Sequence, residues 1–355
     1  MHDILVVERI ERCGGAAVAV YIGTVPPKGW EQIWDKAAAR AGYTGPRPSV
    51  ITDSAELARH GADIGALVTK TVSAELLAAA PGLRLVQVPF AGIDSIDLGV
   101  LKQTHVPLAN SHGNREVTAE HAIALLFALT RRLIPYDRDL RRGIWHGFST
   151  MDEPVVGLFG KTVGIAGLGN IGTHIVRICR SMNMKVLGLK HSPGSGYNSD
   201  LVDRAYGSDE KLAFLQASEF VIDVLPLTPE TENFFGAAEF EAMRGHWFIN
   251  IGRGRTVDEH ALYAALKDGT LKGAGIDPWW VYPAEPVDRD ERGAMIPVMP
   301  AHEPFWELDN VVMSPHTGGF TDISVEGLWG ESFENAIRAD RGEQPRNLVD
   351  LDKGY

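Results

Sequence analysis

Only two cysteines, Cys13 and Cys179, occur in the 355 residues, far apart in sequence, which excludes a disulfide framework and argues against a thiolate metal site. Long apolar runs are missing as well. The most apolar stretch, Ala122 to Leu129, is too short to span a bilayer. The start of the chain, Met1-His2-Asp3-Ile4-Leu5, has no basic segment ahead of an apolar run, so a cytoplasmic location is expected and a membrane is not. Excess positive charge is absent too. Lys and Arg number 34 against 46 Asp and Glu, a formal net charge of -12, which opposes a surface built to hold nucleic acid while leaving room for a local basic patch. What remains is an ordinary globular composition, 45% hydrophobic and 23% charged. The length is comfortable for two domains, each with its own core.

The stretch around which the chain is organised is Lys161-Thr162-Val163-Gly164-Ile165-Ala166-Gly167-Leu168-Gly169-Asn170-Ile171-Gly172, an apolar strand entering a glycine turn and then a helix near Thr173 to Ser181. Gly167 can take the tight turn, Gly169 lets a pyrophosphate approach the backbone, and Gly172 lets helix pack on strand. The helix would aim its unpaired N–H groups at that phosphate. A second strand at Lys185 to Leu189 completes a βαβ unit, which makes a dinucleotide site the expectation. Cys179 falls on the helix, where a small buried side chain is expected.

Before this stretch, Ala16 to about Gly23, Ile64 to Val68 and Leu83 to Val88 read as strands, and Trp30 to Ala41 and Ser73 to Ala80 as helices, the second capped by Ser73. The first part is therefore itself a small parallel α/β layer. Pro89-Phe90-Ala91-Gly92-Ile93-Asp94 follows a strand end, either as a ligand loop or as a plain turn with Asp94 as a helix cap. Asn110-Ser111-His112-Gly113 reads as an interdomain hinge. The helix from Asn114 to about Arg132 is apolar on most faces, which suggests burial against another domain or subunit. After the glycine turn, strands at Phe220 to Leu225, Trp247 to Ile251, Ala274 to Ile276 and Val311 to Ser314 place Arg253, Asp277 and His316 just beyond their carboxyl ends, with a helix from Asp258 to Lys267 between. That is the edge at which open α/β sheets bind ligands.

Taken together the blocks resemble the D-isomer-specific 2-hydroxyacid dehydrogenase family, which includes D-lactate, D-glycerate/glyoxylate, phosphoglycerate, formate and phosphite dehydrogenases. They run in family order: Val88 to Asp94, Asn114 with Ala119-Glu120-His121, the glycine turn, Pro226 to Thr231, Asn250 to Gly254, Gly275 to Asp277, Ser314 to His316 and Gly342 to Asn347. The resemblance implies two Rossmann-like doubly wound parallel-sheet domains and a homodimer. A flavodoxin-like substrate domain spans 1–112 and is rejoined by the tail 318–355, and a nicotinamide-binding domain is inserted over 113–317. It implies that His316 is the general acid and base, and that Arg253 holds the substrate carboxylate and polarises the carbonyl. Phe90, Ala91, Gly92 and Asn114 would face the substrate. Gly167, Gly169, Asn170, Ile171, Gly172, Lys190, His191, Ser192, Leu225, Pro226, Thr231, Ile251, Gly252, Arg253, Asp277, His316 and Gly318 would line the cofactor, with Asp277 accepting from the nicotinamide carboxamide.

The family's third catalytic residue, usually Glu, lies five positions beyond the aspartate of the Gly-x-x-Asp block, and that count lands on Tyr282; Glu285 lies a little farther on. Either could partner His316. Asp288 to His302 resembles an insertion, and with Trp279, Trp280, Phe305 and Trp306 it would shape an aromatic pocket or pack an interface. The expected activity is hydride transfer between a nicotinamide and a small 2-oxo acid or its D-2-hydroxy acid. Oxidation of a small anion such as formate or phosphite is the alternative, and a non-catalytic nucleotide sensor the alternative of another class. Lys190-His191-Ser192 at the end of the second strand, in place of an acidic residue, suggests NADP, with NAD possible if Asp200 or Asp203 reaches back.

Overall fold

Short apolar runs bracketed by polar turns and followed by helices become parallel strands throughout this chain. The computed structural model describes residues 19–147, 154–191, 199–284 and 287–355. They fall into two units, Met1–Asn114 with Phe320–Tyr355, and Arg115–Gly319.

In the first unit the strands are β1 (Ala19–Ile22), β2 (Ser49–Val50), β3 (Ile64–Val68), β4 (Leu85–Gln87) and β5 (Leu108–Ala109). Their spatial order, β2-β1-β3-β4-β5, is the flavodoxin-like order, and every pair is parallel. Helices Trp30–Ala41 and Ser324–Asp340 cover one face, burying Trp34, Trp329 and Phe333 with Ile22 and Val68. Gly42 ends the first helix in the left-handed conformation (φ 58). Ser73 caps helix Ala74–Ala79 by accepting the Leu76 N–H at 3.2 Å. Helix Leu98–Thr104, by contrast, is capped by Asp97, which accepts from Gly99 N and Val100 N; Asp94 is not its cap. The tail rejoins this sheet where the Val349 N–H donates to the Leu108 carbonyl at 2.8 Å.

The second unit holds β6 (Thr162–Ala166), β7 (Lys185–Leu189), β8 (Arg204–Tyr206), β9 (Phe220–Asp223), β10 (Trp247–Asn250), β11 (Gly273–Ile276) and β12 (Val311–Met313). The order is β12-β11-β10-β9-β6-β7-β8, all parallel, the doubly wound dinucleotide-binding arrangement extended by one strand. The direction of winding reverses between β6 and β9, and that switch point is where the glycine turn emerges. The sequence pattern does not show β8, a short edge strand whose alternation is too brief to read.

Helix Arg115–Thr130 owes its apolar faces to its own unit, correcting the expectation of burial against another domain or subunit. Ala119, Ala122, Ile123, Leu125, Leu126 and Leu129 pack with Val163, Ile165, Ile222 and Ile249 of the sheet and with Ile175 and Val176 of helix Asn170–Ser181. Cys179 is fully buried in the same cluster, and burial pushes its thiol up to about 12, which leaves it unreactive. No helix among the described residues is long and apolar enough to cross a membrane.

Candidate functional site

At the switch point Gly167 has φ 102, a conformation that side chains rarely adopt, and a Cβ there would lie 3.0 Å from the Val224 carbonyl oxygen after β9. Helix Asn170–Ser181 starts at Asn170, three residues before the pattern suggests, with Gly169 as N-cap. A Cβ on Gly172 would meet the Gly167 carbonyl oxygen at 2.0 Å, so only glycine allows the helix to sit this close; a Cβ on Gly169 would meet nothing. The bare backbone of Gly169 and the first-turn N–H groups of Asn170 and Ile171 together form an open cradle at the helix start.

Around this cradle Leu225 is fixed by its N–H donating to Asp223 Oδ1 at 2.9 Å. Thr231 closes the Pro226 loop by donating to the Pro226 carbonyl at 2.6 Å and accepting the Thr228 N–H at 2.7 Å. At the end of β7, the Lys190 N–H donates to the Tyr206 carbonyl and Ser208 Oγ donates to the His191 carbonyl. Both Lys190 and His191 are exposed. Asp203 is tied to the other end of β7, accepting the Val186 N–H at 2.7 Å, and therefore does not reach this edge. Ser192 and Glu285 lie outside the described residues.

Arg253 stands on a turn just beyond β10. Asn250 builds that turn with both ends of its amide, donating through Nδ2 to the Arg253 carbonyl and accepting the Gly252 N–H, each at 2.9 Å. Ile251 is buried at the base of the turn. The Gly252 carbonyl accepts from the Arg253 guanidinium at 2.7 Å. A Cβ on Gly254 would strike the Trp279 carbonyl oxygen at 2.3 Å, so glycine is what lets the loop after β11 lie against the arginine turn.

His316 has φ 57, strained for a residue with a side chain. Asp277 supplies what holds it there. Its Oδ1 accepts from Ser314 Oγ at 2.6 Å and Thr317 N at 3.0 Å, and its Oδ2 accepts from Gly318 N at 3.2 Å. His121 Nε2, from helix Arg115–Thr130, lies 2.9 Å from Ser314 Oγ and 3.2 Å from Asp277 Oδ1. Burial acts to raise the Asp277 pKa, but the hydrogen bonds from His121 and Ser314 outweigh it and hold the carboxyl below its ordinary value. The loop from Asp277 to Tyr282 then returns to the histidine. Trp279 Nε1 donates to the Ser314 carbonyl at 2.7 Å, and the Tyr282 hydroxyl lies 2.9 Å from His316 Nδ1.

Neither reading of the aromatics as pocket or interface survives for three of them. Trp279 and Phe305 are buried in the core of the second unit, and Trp280 stacks on Phe305 with ring centroids 5.4 Å apart and donates to the Val257 carbonyl. Their role is to fix the Tyr282 loop on the sheet; Trp306 remains partly exposed. Of the residues read as facing the substrate, Asn114, which the family resemblance puts in the inserted domain, belongs to the first unit, as do Phe90, Ala91 and Gly92. There Asn110 Nδ2 donates to the Ala91 carbonyl at 2.8 Å, and the Ser111 N–H to the Phe90 carbonyl at 3.1 Å. His121, Asn250 and the Asp223–Thr256 pair are positions to which sequence reasoning assigned no role, although His121 and Asn250 sit inside recognisable blocks. Among the described residues no cluster of metal-ligating side chains exists.

Residues 123–318 match the family profile described as "D-isomer specific 2-hydroxyacid dehydrogenase, NAD binding domain". A glyoxylate reductase of Korarchaeum cryptofilum is 34% identical over 289 residues, covering 80% of this chain and 81% of that protein. A glycerate dehydrogenase of Methylorubrum extorquens is 32% identical, covering 82% of this chain and 86% of that one. Among solved structures, the PH0520 protein of Pyrococcus horikoshii superposes with a TM-score of 0.76 at 26% identity, covering 94% of this chain and 96% of that one. With the glycine turn, the arginine turn and the tyrosine-held histidine on one sheet edge, the chain belongs to the D-isomer-specific 2-hydroxyacid dehydrogenase family and is an NAD(P)-dependent oxidoreductase of 2-hydroxy acids.

Proposed function

We propose that the enzyme reduces a small 2-oxo acid to its D-2-hydroxy acid with NADPH. The observation that carries this reading is that Arg253, Tyr282 and His316 stand beyond the carboxyl ends of β10, β11 and β12, on the edge that holds the glycine turn. The open space before Gly169 fits a pyrophosphate held by Gly167, Gly169, Asn170, Ile171 and Gly172. Leu225, Pro226, Thr231, Ile251 and Gly252 would line the nucleotide, and Lys190 and His191 would meet a 2′-phosphate. Among the described residues Asp277 Oδ2 accepts only the Gly318 N–H, so a lone pair remains for a carboxamide N–H. The bound nicotinamide supplies the hydride.

Arg253 would hold the substrate carboxylate and draw charge from the carbonyl. His316 would deliver the proton to the carbonyl oxygen and take it back in oxidation. Tyr282 is the positioning residue: its hydroxyl oxygen, which accepts the Trp279 N–H at 3.0 Å, lies 2.9 Å from His316 Nδ1 and can accept from Nδ1–H, leaving Nε2 to give the proton in reduction and take it back in oxidation. Phe90, Ala91, Gly92 and Asn114 are the further residues assigned to the substrate. A homodimer fits the exposed apolar side chains of Leu133, Ile134, Leu140, Ile144 and Trp145, which a second copy would cover. A cytoplasmic location fits dependence on a soluble nicotinamide pool.

Tyr282 in place of a carboxylate keeps oxidation of a formate-like or phosphite-like anion as the second reading. A panel of glyoxylate, hydroxypyruvate and larger 2-oxo acids with NADPH or NADH, run beside formate and phosphite with oxidised cofactor and followed by nicotinamide absorbance, separates the two. Turnover confined to formate or phosphite would overturn the first.

A further inference from the structure

The end of β9 and the turn that carries Arg253 share a buried polar contact. Asp223 is fully buried; its Oδ1 accepts the Leu225 N–H, and its Oδ2 lies 2.5 Å from Thr256 Oγ1. Thr256 is fully buried too, and its Oγ1 also lies 2.7 Å from the Arg253 carbonyl oxygen. A hydroxyl has one proton to donate, so Thr256 cannot serve both acceptors at once. If Asp223 is ionised, the proton goes to the carboxylate. If Asp223 is protonated, it donates to Thr256 Oγ1, and Thr256 donates to the Arg253 carbonyl.

Among the described residues, this carboxyl has one charged neighbour of consequence. Strands β6 and β10 bring Ala166 and Asn250 beside Asp223, neither of them ionisable. On the arginine turn, Arg255 is engaged with Glu232 at the surface, and the Arg253 guanidinium is the charge that acts on Asp223. Burial pushes the Asp223 carboxyl up to about 7, against the opposing pull of Thr256, Leu225 and Arg253.

We propose that Asp223 is a positioning residue for Arg253, and that its proton adjusts how strongly the arginine binds the substrate's carboxylate. Neutral Asp223 leaves the guanidinium charge whole and Thr256 bonded to the arginine turn. Ionised Asp223 draws Thr256 away and offsets part of that charge, so substrate affinity falls as pH rises through neutrality. The inference rests on Arg253 as the carboxylate-binding group.

The test uses oxamate, an unreactive analogue of a small 2-oxo acid, titrated by calorimetry into the full-length enzyme saturated with NADPH. It is run in a His316→Asn background, which removes the site histidine from the pH dependence of oxamate binding. Oxamate affinity should fall about tenfold between about pH 5.5 and about pH 8.5, and adding Asp223→Asn should flatten it near the acidic value. A flat profile with Asp223 present, or an unchanged slope in Asp223→Asn, would overturn the proposal. Oxamate that fails to bind the wild-type enzyme at any pH would instead overturn the carboxylate role of Arg253, and this inference with it. An infrared titration of the wild-type enzyme supports the result without any variant: a buried protonated carboxyl band should vanish as pH passes about 7, and its absence at about pH 6 would sink the idea.

Discussion

The hydroxyl oxygen of Tyr282 lies 2.9 Å from Nδ1 of His316 and 3.0 Å from the backbone nitrogen of Trp279. A neutral phenol therefore stands where a carboxylate would favour the imidazolium. Reduction, which needs the protonated histidine, should fall away at lower pH than in a relative with glutamate at this place. Tyr282→Glu should move that fall to higher pH, and Tyr282→Phe should lose about fivefold in kcat/KM, the worth of one hydrogen bond. Profiles of kcat/KM against pH for both variants, with Glu285→Gln as the control, check this; a profile moved by Glu285→Gln alone would assign the partner to that residue.

His316→Ala should lower kcat by about a hundredfold to ten-thousandfold, the usual range for general acid–base catalysis. Arg253→Ala should raise KM and lower kcat together, because one group serves both the bound substrate and the transition state. Steady-state kinetics on the best 2-oxo acid measure both. Near wild-type efficiency in either variant would remove that residue from the mechanism.

The cofactor prediction rests on the exposed pair Lys190 and His191, with Asp203 engaged at the opposite end of β7. NADPH should be preferred, and Lys190→Ala should erode the preference by about tenfold through KM, with little change for NADH. The ratio of kcat/KM for the two cofactors decides it: equal or better use of NADH by the wild type would reverse the assignment.

Stability should also carry the mark of Asp223. Its carboxyl is raised from 3.8 to about 7 on folding, so its contribution is fully present below the unfolded value and is lost as pH rises through about 7. Relative to wild type, Asp223→Asn should therefore gain stability between about pH 4 and about pH 7, by at most about 4 kcal/mol, and level off above. Urea unfolding across that range measures the difference. A difference that does not change with pH would show that Asp223 ionises normally.

The sequence by itself determined most of the strands and the glycine turn, because those depend on neighbours within a few residues, while the winding of the sheets and the roles of the site's blocks came with the family resemblance. Alternating apolar runs and helices dictate parallel sheets, and three glycines in six positions dictate a turn where a side chain would collide with backbone. The count of five from Asp277, taken from the family resemblance, landed on Tyr282 and left Glu285 open beside it; the structure sets the Tyr282 hydroxyl against His316. Only the tertiary structure decided what each buried face or polar group meets. Apolar periodicity in helix Arg115–Thr130 shows that it is covered, yet nothing local says that its own sheet does the covering. A carboxylate near a helix start is a cap only if the backbone turns toward it, which Asp97 satisfies and Asp94 does not. Asp223 and Thr256, 33 residues apart, and His121 and Asp277, on a helix and a strand end, meet only once the sheet has assembled. Hydrogen-bond partners between distant segments leave no periodic trace in a single chain, since geometry and burial, and not spacing, bring them together.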